Sequence, residues 1–139
     1  MLALPARPMS ETESHPLHSL EAVALVAIGG FAGSNLRYFV DLVVGGLGAT
    51  LAVNAAGSFA LGVLVYEAST AELLAPETRS VLATGFLSSL TTYSTFALQT
   101  VQSPPLWLVA NVAANYALGF AGVLTGRAVV TRLHRRWAE

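Results

Sequence analysis

The chain contains no cysteine and no lysine, and charged side chains make up only 11% of its 139 residues. Without cysteine there are no disulfides, thiolate metal sites or thiol nucleophiles. Without lysine, all seven basic residues are arginine. The shortage of charge excludes most, because about a quarter of the residues of a soluble domain are charged. A net charge of −1 and a pI near 6.3 supply no basic face for nucleic-acid phosphates. The eight acids (Glu11, Glu13, Glu21, Asp41, Glu67, Glu72, Glu77, Glu139) fall in tails, turns or expected helix ends. The three histidines (His15, His18, His134) lie in tails. A membrane-embedded acid that alternates between proton and cation is therefore disfavoured, as is a transmembrane histidine metal site.

What remains is apolar: 54% of residues are hydrophobic and the mean hydropathy is +0.61. A spanning helix needs about 20 apolar residues, so the chain has room for about four. The expected organisation is an all-α membrane protein. A flexible N-terminal tail covers residues 1–19, a four-helix transmembrane domain residues 20–130, and a basic C-terminal tail residues 131–139. The apolar runs place the spans at about 22–40, 49–65, 81–101 and 106–130. Gly45, Gly46 and Gly48 make the first connection, and Ser103, Pro104 and Pro105 the third. The stretch from Glu67 to Arg79 has a composition that belongs in water. Short connections predict an antiparallel bundle with successive helices as neighbours. Gly29 and Gly33, Ser58 and Gly62, and Gly122 and Gly126 repeat the four-residue small-residue spacing that allows close helix packing.

Several polar residues interrupt the apolar runs. Asn54 lies in the second span and Asn111 and Asn115 in the fourth, and each amide needs a partner or water in hydrocarbon. Asn54, Ser58 and Gly62 share one helical face, as do Asn111, Asn115 and Gly119. Two roles are open to these stripes: a lining for a polar path, or hydrogen-bonded glue between helices. In the third span Ser88, Ser89, Thr91, Thr92, Ser94 and Thr95 crowd the midpoint, which predicts a helix broken mid-membrane with its freed backbone groups facing a buried site. Tyr93 and Phe96 flank the break. Arg37 is the one charge at membrane level, suited either to an anion at a pore entrance or to snorkelling at the interface.

With these residues in place the chain resembles the CrcB/Fluc family of fluoride channels across all four spans. Residues 29–38 (GGFAGSNLRY) resemble the family's GGxxGxxxR(Y/W), and residues 48–62 (GATLAVNAAGSFALG) resemble GTLxxNxxGxFxxG. The most specific stretch, residues 84–96 (TGFLSSLTTYSTF), is similar to TGFxGGxTTFSTF. The resemblance implies a fluoride-selective channel that exports cytoplasmic fluoride passively and is not an enzyme. It implies an antiparallel dimer with two pores and a structural sodium ion at its centre, held by the backbone carbonyls of Ser88 and Thr91. It places Asn54, Tyr93 and Phe96 along the fluoride path. Ser94, Thr95, Asn111 and Asn115 are the further polar candidates for that path, and the charge of Arg37 makes it the candidate for the entrance.

Two departures stand out. Ser88-Ser89 replaces Gly-Gly, so a backbone with positive φ there would become costly. Tyr93 replaces a phenylalanine and adds a hydroxyl to the path. A small multidrug-type cation exporter and a non-conducting membrane scaffold are the alternative functions. The first lacks its buried acid, and the second leaves the polar break without a purpose. Finally, six arginines (Arg7, Arg79, Arg127, Arg132, Arg135, Arg136) fall on the side of both termini and Arg37 alone on the other. That bias predicts a multi-pass protein of the cell membrane with cytoplasmic termini. If the working unit is antiparallel, its other half is then expected to be a paralogous chain of opposite bias.

Overall fold

The computed structural model describes residues 16–70 and 72–138 and, among them, is almost wholly helical. Helix α1 runs Pro16–Val43, α2 Gly46–Thr70, α3 Pro76–Ser80, α4 Ser88–Leu90, α5 Tyr93–Val101 and α6 Pro105–Ala138, with a π-helical segment Val81–Leu87 joining α3 to α4. The continuous stretches Ser19–Val43, Gly46–Thr70, Pro76–Val101 and Pro105–Arg136 are four helical spans long and apolar enough to cross a membrane.

The domain edges differ from those expected. Residues 1–15 of the expected tail lie outside the described residues, but from Pro16 the chain is already helical, proline being well suited to a first helical position. At the other end α6 continues through the expected tail to Ala138. Leucine and arginine are good helix formers, no glycine or proline intervenes, and Arg135 and Arg136 complement the helix dipole in the last turn. The helix thus outlasts the apolar run that predicted its end.

The turn between α1 and α2 uses Gly45 and Gly46 at φ +72° and +58°, a region other residues enter at a cost. Packing partners are not the successive ones. Instead α1 lies closest to the third span and α2 to α6, because the glycines select the pairs. A Cβ on Gly33 would sit 2.2 Å from the Phe86 carbonyl oxygen, and one on Gly29 2.7 Å from that of Val81. On the other pair, a Cβ on Gly62 would meet the Val123 carbonyl at 2.6 Å, and one on Gly126 that of Phe59 at 2.5 Å. Backbones approach this closely only where side chains are absent. Val53, Leu64, Leu87 and Leu90 fill the space between, joined by Val40, Leu82 and Phe86. Outward-facing Phe31, Phe120 and Leu106 are exposed, as lipid or another subunit would require.

The α2–α3 connection is not simply an aqueous loop. Glu67 is only 8% exposed. Its Oε1 accepts the Leu74 N–H at 2.8 Å and its Oε2 lies 3.4 Å from Arg79 Nη2. Arg79 Nη2 also donates to the Leu74 carbonyl at 3.0 Å. The carboxylate thus supplies an acceptor to a turn that has left its helix, and composition could not show this. At Tyr66, the residue before Glu67, the Arg127 guanidinium of α6 stacks 5.0 Å above the ring.

Candidate functional site

The third span is broken at Thr91 and Thr92. Thr91 (φ −77°, ψ 159°) ends α4 and Thr92 (φ −150°, ψ 124°) precedes α5, both extended. The interruption falls within the expected serine- and threonine-rich stretch, and local hydroxyls hold it. Thr91 Oγ1 donates back to the Leu87 carbonyl at 2.9 Å. Thr92 caps α5, its Oγ1 accepting the Thr95 N–H at 3.2 Å and donating to Thr95 Oγ1 at 3.0 Å.

Asn54 closes the break from α2. Its Oδ1 accepts the Thr92 N–H at 2.9 Å while its Nδ2 donates to the Thr92 carbonyl at 3.1 Å, so one side chain satisfies both backbone groups of the extended residue. The same Nδ2 donates to Asn115 Oδ1 at 3.2 Å. Asn115 Nδ2 donates to Asn111 at its Oδ1 (2.9 Å) and its carbonyl (3.0 Å). Asn111 Nδ2 donates to Thr100 Oγ1 at 2.7 Å, and Thr100 Oγ1 to the Phe96 carbonyl at 2.6 Å. The three asparagines therefore form one hydrogen-bonded chain running from the break along α5 and α6. Both Nδ2 protons of Asn54 are engaged in it.

Cavities flank the break on two sides. A groove of about 470 Å³ is lined by Asn54, Gly57, Ser88, Thr91, Phe96 and Asn115, among others, with Tyr93 and Tyr116 at its wall. A smaller cavity of about 180 Å³ is lined by Arg37, Asp41, Thr50 and Thr95. Thr92 lines both. Of the expected site residues, the groove gathers Asn54, Ser88, Thr91, Tyr93, Phe96 and Asn115, and the smaller cavity gathers Arg37 and Thr95. Asn111 is buried beside Thr100 and lines neither; exposed Ser94 has its Oγ 3.4 Å from Thr92 Oγ1 and also lines neither.

The aromatics divide by exposure. Phe96 is 7% exposed and meets Tyr116 edge-on at 6.4 Å between centroids. Tyr93 is 74% exposed and lies tilted 5.7 Å from Phe96. Ser88 has helical torsions (φ −65°, ψ −27°), and Glu72 is the positive-φ residue other than glycine among those described. Serines therefore occupy positions 88 and 89 without backbone strain. Ser88 Oγ turns back to the Thr84 carbonyl.

Sequence reasoning passed over Gly57, Thr100 and Tyr116 as site residues. A Cβ on Gly57 would lie 2.2 Å from Thr91 Cγ2, so this glycine makes room for the break. Its position three residues after Asn54 was the available signal. Thr100 and Tyr116 gave none beyond lying near Phe96 and Asn115 in sequence.

This arrangement defines a class: a small four-span membrane protein whose broken third helix carries a polar site between two cavities. The pattern of the CrcB-like protein family, Camphor Resistance (CrcB), matches residues 24–127, and the chain belongs to that family. It is 62% identical over 118 residues to the fluoride-specific ion channel FluC 1 of Haloarcula marismortui, covering 85% of this chain and 92% of that one. It is 56% identical to the fluoride-specific ion channel FluC 2 of Halobacterium salinarum over 109 residues, 78% of this chain and 85% of that one. A FluC 2 of Methanosarcina mazei, also named a fluoride-specific ion channel, is 36% identical over 121 residues, 87% and 96% of the two chains.

Proposed function

We propose that this chain is a subunit of a passive, fluoride-selective channel of the cell membrane. The carrying observation is the break at Thr91–Thr92, where polar backbone and hydroxyl groups stand at mid-span between two cavities that share Thr92. Irregular backbone at membrane depth is tolerated where it lines a site or is buried in protein. The names carried by the relatives support fluoride as the ion.

The chemistry agrees with that ion. Fluoride is small and strongly hydrated, so its water must be replaced by good donors. Thr95 Oγ1 accepts from Thr92 Oγ1, which leaves its own proton to donate, and Arg37 lines the same cavity as the one cation there. The rings of Phe96 and Tyr93 offer their positive edges to an anion. A cation exporter would need a free embedded carboxylate, and buried Glu67 is tied to Arg79 and Leu74 at the end of α2.

The groove faces outward from the single chain, and a second copy or paralogue in antiparallel orientation would close it. Ser88, in the last helical turn before the break, and Thr91, just past it, line that groove, and the carbonyls of a last helical turn lack intrahelical partners. Two such carbonyls from each subunit would offer a hard-oxygen cage suited to a structural sodium ion. Thr91→Ser is expected to leave flux within about twofold of wild type, because this reading assigns the backbone oxygen as ligand and a serine hydroxyl can repeat the bond to Leu87.

Fluoride efflux from proteoliposomes, read with a fluoride-selective electrode, tests the function. Fast fluoride and slow chloride release are expected, and equally slow release of both would sink the proposal. Phe96→Ile removes the ring that meets Tyr116 and is expected to lower efflux at least about tenfold in assembled protein, roughly 1.4 kcal/mol. The arginine bias is expected to orient the chain with its termini in the cytoplasm. Arg7 lies outside the described residues, but Arg79 and Arg127 meet the adjacent Glu67 and Tyr66, at the end of the bundle where α6 carries Arg132, Arg135 and Arg136. Single cysteines introduced near each terminus and labelled from one side measure this, and equal labelling from both sides would show dual insertion.

A further inference from the structure

Helix α6 is longer than a bilayer requires. It has 34 residues and carries Trp107 near its start, 61% exposed and at the level where interfacial aromatics sit. From Trp107 to Arg127 the helix rises about 30 Å at 1.5 Å per residue, the thickness of the hydrocarbon core. Arg132 then lies about 7 Å beyond the core and Arg135 and Arg136 about 12–14 Å beyond it, within and just past the headgroup layer. Side chains of this length reach back toward the interface.

The three arginines form one stripe. Their i, i+3, i+4 spacing puts them on a common face. That face lies away from Val130, which is 8% exposed, and from Gly126, whose missing Cβ admits Phe59 of α2. All three are exposed. Arg79 is engaged by Glu67 and Arg127 by Tyr66, whereas Arg132, Arg135 and Arg136 make no hydrogen bond, ion pair or ring contact among the described residues. Beside the stripe, Val129 and Leu133 are 40% and 50% exposed. A free anion would have no use for that apolar flank. A lipid would, because its phosphate sits beside acyl and glycerol carbons.

We propose that Arg132, Arg135 and Arg136 bind the phosphates of anionic lipids in the leaflet where α6 ends, with Val129 and Leu133 against the lipid's apolar part. Guanidinium groups match phosphate oxygens in bidentate fashion, which a lysine stripe would do less well. The site is separate from the conduction break and does not depend on the ion that passes there.

The full chain, purified in mild detergent and equilibrated with equal amounts of phosphatidylglycerol and phosphatidylcholine, tests the proposal by native mass spectrometry. Wild type is expected to retain phosphatidylglycerol preferentially. The triple variant Arg132→Gln, Arg135→Gln, Arg136→Gln is expected to lose that preference at least about fivefold, the worth of a single interfacial arginine. Its melting temperature in phosphatidylcholine alone should stay close to wild type, since the stripe packs against nothing and only the small, exposed dipole contribution of Arg135 and Arg136 is lost. Equal retention of the two lipids by wild type, or unchanged preference in the triple variant, would overturn the proposal. So would displacement of the lipid by excess inorganic phosphate, which would mark a free-anion site. Headgroup retention appearing only in Glu11→Gln, Glu13→Gln protein would overturn it too, by assigning the stripe to the chain's own N-terminal segment.

Discussion

Asn54→Asp is expected to reduce fluoride efflux by at least about tenfold while leaving protein that still inserts and assembles, a loss of the size of one buried acceptor left without its donor. Asparagine is required because the site asks it to accept and donate together. Its Oδ1 takes the Thr92 N–H, and its Nδ2 serves both the Thr92 carbonyl and Asn115 Oδ1. An aspartate keeps the first bond and sets its other oxygen, in place of Nδ2, against two acceptors. It also brings negative charge to a groove that an anion is proposed to approach. Asn54→Ala separates the two effects, since it removes the hydrogen bonds without adding charge. Comparable losses in both variants assign Asn54 to holding the break, and a loss confined to aspartate assigns the effect to charge. Normal efflux from both, in assembled protein, would show that this part of the conduction route is misplaced.

Gly33→Ala is expected to lower the melting temperature sharply or to prevent recovery of folded protein, whereas Gly119→Ala is expected to be nearly silent. Gly33 belongs to an expected small-residue pair and Gly119 to the expected polar face of the fourth span, and composition does not rank the two positions. The added methyl on Gly33 would sit 2.2 Å from the Phe86 carbonyl oxygen and 3.1 Å from the Leu90 nitrogen, so α1 must move away from the third span. No rotamer change relieves a clash with backbone, and overpacking of this kind costs about 1–3 kcal/mol or more. On Gly119 the nearest atom would be Ser58 Oγ at 3.6 Å, an ordinary contact. Thermal unfolding followed by size-exclusion chromatography measures both, and a stable Gly33→Ala protein would contradict the packing of α1 on the third span.

The amino-acid sequence by itself determined the class of this protein and the place of the break in its third span. Hydrocarbon leaves a chain so poor in charge few options beyond spanning helices, and apolar runs of sufficient length can be counted. Six hydroxyl residues within eight positions have no cheap place in an unbroken apolar helix, and the interruption at Thr91–Thr92 falls among them. Such inferences depend on local composition and period, which are written along the chain. The tertiary structure decided what depends on partners distant in sequence. Small-residue spacing marked helices that pack closely but not which helix each would meet. The pairing of α1 with the third span and α2 with α6 was settled by where bare backbone could approach bare backbone. Likewise the sequence placed three asparagines in membrane and left two roles open. Their linkage from Thr92 to Thr100 arises from side chains on three helices that meet only after folding. Glu67 had the composition of an exposed turn, and only the return of Leu74 and Arg79 onto α2 provided the donors that keep it buried. A hydrogen bond needs both its ends in place, and the sequence specifies one end at a time.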